Sequence, residues 1–192
     1  MKKMKVKLFS GGMILLLLLG LYSCDNKRYY EFTAEEAEFM AYEKGQIIKF
    51  KDTSDVTHIM EQTKHLIGYF EDNHIFGTDF IKEYEVTYQS ISDPSFIHAV
   101  VVGADHSKFS GGVNVRLGEY QAPDPYSTTT LSLPTLKETI NGKEYTKVHK
   151  LKAIRWRGYR PPLSDTATMY FNKEYGLLKV LFPSGKSITR VD

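Results

Sequence analysis

From Gly45 onward the chain is cut at close intervals by turn-forming clusters, and the runs between them are short and either apolar or alternating. The clusters include Asp52-Thr53-Ser54-Asp55, Asn141-Gly142, Lys173-Glu174-Tyr175-Gly176 and Pro183-Ser184-Gly185. Asp, Asn and Ser favour turns because their side chains bond nearby backbone, and Gly because positive φ carries no steric cost. Between the clusters, Tyr84, Val86, Tyr88 and Ser90 alternate with Glu85, Thr87 and Gln89. Val113, Val115 and Leu117 likewise alternate with Asn114, Arg116 and Gly118. A period of two sends successive side chains to opposite faces of a strand. Thirteen tyrosines and eleven phenylalanines fit that texture, since aromatic rings suit a pleated, half-buried surface. The pattern predicts a mainly β fold: an antiparallel meander, sandwich or partly closed barrel of about ten strands with one short N-terminal helix.

Thr33-Ala34-Glu35-Glu36 has the form of a capping box, in which the Thr33 hydroxyl and the Glu36 carboxylate each satisfy the other's backbone N–H. It predicts a helix over Ala34–Glu43 ended by Gly45, with a short apolar face suited to the edge or end of a sheet. Ile47–Phe50 and Val56–Met60 read as a first hairpin. Phe96–Val102 is nearly continuous in apolar residues, as a central strand would be. Asn141-Gly142 is the strongest short hairpin signal, joining Leu136–Ile140 to Tyr145–Ala153. Thr168–Phe171, Leu177–Phe182 and Ser187–Val191 close the chain. Pro123 and Pro125 make Gln121–Ser127 a loop, and Pro134 limits Thr128–Leu133 to an edge or a strand end. Glu61–Phe80 has no clean period, with apolar residues spread around the turn formers Asp72, Asn73 and Gly77.

The N-terminus has a separate logic. Lys2, Lys3, Lys5 and Lys7 precede an apolar run from Met13 to Leu19, the order of a secretory leader. The chain's only cysteine, Cys24, follows Leu21-Tyr22-Ser23. These four residues resemble the lipobox of bacterial lipoproteins, with Tyr22 bulkier than the usual occupant. The resemblance implies cleavage between Ser23 and Cys24, lipidation of Cys24, and attachment to a membrane through that lipid. An ordinary cleaved leader or a single spanning helix are the alternatives, but the run is short and interrupted by Gly11, Gly12 and Gly20, whereas a span needs about 20 apolar residues. The expected organisation is a leader over 1–23, a lipidated polar and aromatic tether over 24–32, and a single β-rich domain over 33–192. With no second cysteine there is no internal disulfide, so the core must stabilise the domain by itself. The leader carries four of the 25 basic residues and none of the 23 acidic ones, leaving 21 basic against 23 acidic, a net of −2, from residue 24 onward. That balance offers no electrostatic case for a nucleic-acid partner.

Two stretches resemble small lipoproteins of Bacteroidetes-type bacteria. One is Thr33-x-Glu35-Glu36 with Phe39, Tyr42, Gly45-Gln46, Ile48 and Phe50. The other is Tyr170-Phe171-Asn172-Lys173-Glu174-Tyr175-Gly176-Leu177-Leu178 followed by Gly185-Lys186. The resemblance implies an envelope location, with the outer membrane expected, and no assigned chemistry. It leaves the middle of the domain unclaimed.

Few residues invite a catalytic reading. His58, Glu61 and His65 would share a helical face and could converge on zinc, but on a strand the odd spacing of the two histidines sends them to opposite faces. His98 lies in an apolar run with Asp105 and His106 following, and its simpler reading is a core histidine satisfied by a hydrogen bond. Glu83 and Glu85 could serve as paired carboxylates for glycoside hydrolysis, but they also fit a solvated strand. No Gly-x-Ser-x-Gly elbow is present. The candidate ligand-binding group is Arg155, Trp156, Arg157 and Tyr159, next to Lys150 and Lys152, because interleaved aromatic and basic side chains stack on rings and hold anions. No cofactor and no metal site are expected. The reading is a non-enzymatic envelope module with a protein, glycan or lipid partner; the alternative is an envelope hydrolase using carboxylate or histidine chemistry.

Overall fold

A computed structural model describes residues 27–74, 77–104, 112–122, 134–155 and 165–191. Within them lie β1 (Lys27–Tyr30), α1 (Ala34–Ala37), β2 (Ile48–Asp52), β3 (Thr57–His74), β4 (Gly77–Ser90), β5 (Ile97–Gly103), β6 (Gly112–Leu117), β7 (Tyr120–Ala122), β8 (Thr135–Ile140), β9 (Lys143–Arg155), β10 (Thr166–Asn172), β11 (Gly176–Leu181) and β12 (Ser187–Val191). Ten strands close into an antiparallel barrel in the order β4-β3-β2-β12-β11-β10-β9-β7-β6-β5, and β5 pairs back onto β4. The sheet is therefore a fully closed meander, and closure removes the exposed edges a sandwich would keep. β8 stands outside the circuit and, among the described residues, pairs with β9.

The alternation read from the sequence decides which face enters the lumen. Tyr84, Val86 and Tyr88 of β4, Val113, Val115 and Leu117 of β6, and Leu151 and Ala153 of β9 are buried together with Phe50, Met60, Met169 and Phe171. Lys49, Lys150 and Lys152 point outward and are exposed. Apolar inside and charged outside is the reverse of a barrel embedded in lipid. A second, smaller cluster of Ile140, Tyr145, Val148, Tyr170 and Leu178 fills the outer wall beneath β8. The Asn141-Gly142 turn has φ of +52° and +78°, the left-handed pair that a two-residue hairpin with native twist requires.

Several expectations change. The helix stops at Ala37 rather than Glu43. Phe39 and Tyr42, three residues apart, would share one helical face. Instead they reach opposite walls of the barrel, Phe39 beside His149 and Phe171 and Tyr42 beside Tyr88 and His98, so lumen burial overrides helix propensity. The capping box itself is present, with Glu36 N–H donating to Thr33 Oγ1 at 3.2 Å and Thr33 N–H to Glu36 Oε2 at 2.7 Å. Phe96–Val102 does yield a strand with partners on both edges, and β5 buries His98, Val100 and Val102 while leaving Ile97, Ala99 and Val101 partly exposed. The Glu61–Phe80 stretch, without a clean period in sequence, is most of one long hairpin, and Asp72 and Asn73 lie within β3 rather than in its turn. Part of the expected tether is strand: Lys27–Tyr30 pairs in parallel with Thr78–Ile81 of β4. Gln121 and Ala122, expected to open a loop, belong to β7; the rest of that expected loop and Thr128–Leu133 lie outside the described residues.

β3 and β4 are 18 and 14 residues long, longer than the barrel uses. β2 pairs with β3 only over Thr57–Met60, and β5 with β4 only over Glu83–Gln89. Beyond that, the distal parts of β3 and β4 pair with each other and with β1. They form a three-stranded arm projecting from the barrel wall.

Candidate functional site

Two places gather unusual side chains: the lumen and the arm. In the lumen, Tyr42 sits on the segment that α1 delivers into the barrel. Its hydroxyl lies 2.7 Å from His98 Nε2 and accepts the Leu177 N–H at 2.8 Å. His98 Nδ1 lies 2.9 Å from the Arg116 carbonyl oxygen. A carbonyl only accepts, so Nδ1 carries the ring proton and Nε2 accepts from the Tyr42 hydroxyl. Tyr84 O–H donates to the Tyr42 carbonyl at 3.0 Å. Gln62 holds the next residues: it accepts the Gly45 N–H at 2.7 Å and donates to the Glu43 carbonyl at 3.0 Å and to Tyr88 at 3.2 Å. Burial drives the His98 pKa down to about 4, which keeps the ring neutral, and pushes Tyr84 up to about 12 and Tyr42 further. Tyr42, Tyr84 and His98 are thus neutral and bonded to one another or to backbone. The arrangement fastens the N-terminal segment into the barrel.

The stretch Tyr170 to Leu178 completes this fastening. Asn172 Oδ1 accepts the N–H groups of Glu174 and Tyr175, and its amide donates to the Thr146 carbonyl at 2.7 Å. Lys173 pairs with Glu38 at 2.8 Å and sits 4.5 Å from the centre of the Phe39 ring. Gly176 has φ of +76°, and a Cβ there would lie 2.2 Å from the Tyr42 ring. Only glycine serves both the turn and that close approach. The two stretches singled out at opposite ends of the sequence therefore pack against each other.

The other sequence candidates are dispersed. A bulge at Thr63 shifts the β3 register, so His58 and His65 fall on one face and not on opposite faces as the plain spacing implied. They stand roughly 20 Å apart along the strand. His58 is engaged with Asp52 at 3.5 Å and with the Phe96 ring. Among the described residues no three His, Cys, Asp or Glu side chains are grouped to hold a metal. Glu83 and Glu85 lie on the outer face of β4. Burial, then the neighbouring Glu85 charge, raises the Glu83 pKa, while Glu85 is paired with Lys64. Arg155 is bound by Glu119 and by Asp165, which also accepts from Tyr120 at 2.9 Å. Two carboxylates already occupy its guanidinium, which weakens the case for an anion grip there. Trp156, Arg157, Tyr159, Ser23, Cys24, Asp105 and His106 lie outside the described residues.

The arm was not legible as a site in sequence. On one face Tyr29 stacks on Phe80 with ring centres 4.8 Å apart and meets Tyr69 edge-on at 5.7 Å. Tyr29 is 60% exposed and Tyr69 44%; on the other face Phe70 is 58% exposed. Arg28 fixes β1 to the arm, its guanidinium donating to Asp79 Oδ1 at 2.8 Å and Oδ2 at 3.1 Å. Lys82 pairs with Glu31, which also accepts from Tyr69. The signal available beforehand was the run of aromatics at residues 29, 69, 70 and 80, obscured because the register joining them is long-range.

The chain matches no family model, no curated protein and no solved structure.

Proposed function

We propose that the chain is a cell-envelope lipoprotein, a non-enzymatic binding or interaction module held at the outer membrane through lipid on Cys24. The observation that carries this reading is the position of that cysteine. The only thiol in the sequence stands three residues before β1, and β1 belongs to the arm rather than to the barrel circuit. A lipid at Cys24 reaches a bilayer without disturbing the packed lumen. Several acyl chains at about 0.8 kcal/mol per buried CH₂ suffice for stable anchoring, which one chain does not provide. The non-enzymatic part rests on the lumen, where Tyr42, Tyr84 and His98 are satisfied by one another and by backbone. A protein, glycan or lipid is the class of partner.

The test is direct. Cells fed an alkyne-bearing fatty acid should label the wild-type protein and not the Cys24→Ser variant, and the N-terminal peptide of the mature protein should begin at Cys24 with acyl mass attached. An unlabelled wild type, or a mature chain beginning elsewhere, sinks the proposal.

A further inference from the structure

We infer that the distal part of the β3–β4–β1 arm docks into the headgroup region of the bilayer to which the chain is anchored. The inference rests on the lipid-anchor reading and adds a surface to it. Direction of travel decides the geometry. β1 runs parallel to β4, with Lys27 opposite Thr78, one residue from the start of β4, and Tyr30 opposite Ile81, nearer the barrel. The chain therefore enters the fold at the tip of the arm. Three peptide links at about 3.8 Å each keep the Cys24 Cα within about 11 Å of that of Lys27. Acyl chains on Cys24 consequently bring the arm tip, and not the barrel, to the membrane surface.

The side chains at that level suit the location. Phe80 and Phe70 stand three and four residues from the strand ends at Gly77 and His74, about 10 to 14 Å along the arm. Tyr29 lies level with Phe80, and Tyr69, opposite Lys82, two residues further in. An exposed aromatic surface of this kind is a liability in water, whereas Tyr rings with an apolar body and a polar tip concentrate at membrane interfaces. Within the arm Arg28 pairs with Asp79 and Lys82 with Glu31, and the acidic Glu71 and Asp72 stand next to Phe70 towards the tip. Attraction to anionic lipid is therefore a minor part, and the docking should withstand high salt.

The test uses the full lipidated protein, purified from membranes and reconstituted into phosphatidylethanolamine–phosphatidylglycerol vesicles. Two variants each carry one new thiol at an exposed position: Phe70→Cys on the arm and Val56→Cys at the other end of β3. Each is labelled with an environment-sensitive nitrobenzoxadiazole probe. The Phe70→Cys probe should shift to the blue and lose intensity when doxyl-labelled lipid is added, in low and high salt alike. The Val56→Cys probe should do neither. If neither probe responds while the wild type floats with the vesicles and takes up no label, the anchor stands and arm docking is overturned. If Phe70→Cys probes self-quench between copies without responding to doxyl lipid, the arm joins two copies and the inference is again overturned. If the wild type itself takes up label at Cys24 or fails to float, the anchor reading falls, and this inference with it.

Discussion

β3 and β4 build two regions of opposite character from the same pair of strands. Near the barrel, Met60, Tyr84, Val86 and Tyr88 are buried against the lumen, and the neighbouring strands β2 and β5 complete the ladder. At the distal end the side chains are no less aromatic, yet Tyr69 and Phe70 are open and, among the described residues, β1 is the strand that adds to the pair. Apolar content therefore does not separate core from surface in this molecule. Closure does: in the barrel a strand with partners on both edges and a filled lumen buries one whole face, whereas in the arm Asp79 and Ile81 are buried but Tyr29, Tyr69 and Phe70 stay open.

The comparison breaks most readily at Tyr42. Tyr42→Ala removes a buried ring and the donor and acceptor that join β5 to β11, and it should lower stability by about 4 kcal/mol in denaturant unfolding. A loss below about 1 kcal/mol would mean that the lumen does not depend on the inserted segment.

Acid should act next, and on the barrel. The His98 pKa falls from 6.5 to about 4 on folding, mainly because burial disfavours the charged ring. The folded state thus refuses a proton that the unfolded chain accepts. Stability is full above pH 6.5 and declines as pH falls towards 4, by about 3 kcal/mol in all. His98→Gln, which cannot titrate, should show a flatter dependence of the unfolding midpoint over that window. An unchanged slope would refute the assignment.

Replacing Asn141-Gly142 with Val-Val forces two β-branched residues into positive φ and should cost about 2 kcal/mol, read as a lowered thermal midpoint. The arm should respond least. Tyr69→Ser and Phe70→Ser, both at exposed positions, should each change stability by no more than about 0.5 kcal/mol. A large loss from either would show that the arm is part of the cooperative core.

Much of the barrel was legible in the sequence because its signals are local. The alternation in Tyr84 to Ser90 and Val113 to Leu117, the Asn141-Gly142 turn and the Thr33–Glu36 capping box each report on neighbours a few residues away, and the structure places each as expected. Closure was not legible, since it depends on β12 meeting β2, a pairing between opposite ends of the described chain. Strand β1 was hidden for the same reason, because Lys27–Tyr30 has no strand pattern of its own and forms only against Thr78–Ile81. The early end of α1 comes from burial of Phe39 and Tyr42, a tertiary demand with no local mark. His98 met its simpler reading as a satisfied core histidine. The arm's aromatic surface depends on register across 51 residues, as in Arg28 to Asp79, and no periodicity discloses that.

The most direct measurement is amide hydrogen exchange along β3 and β4, in the lipidated protein on vesicles and in its Tyr69→Ser/Phe70→Ser variant on the same vesicles. If the barrel supports itself and the arm is supported by the bilayer, peptides covering 57–62 and 84–90 will exchange slowly and equally in both proteins. Those covering 68–74 and 77–82 will exchange faster in the variant. Equal exchange in the arm, or lost protection in the barrel, would contradict the account.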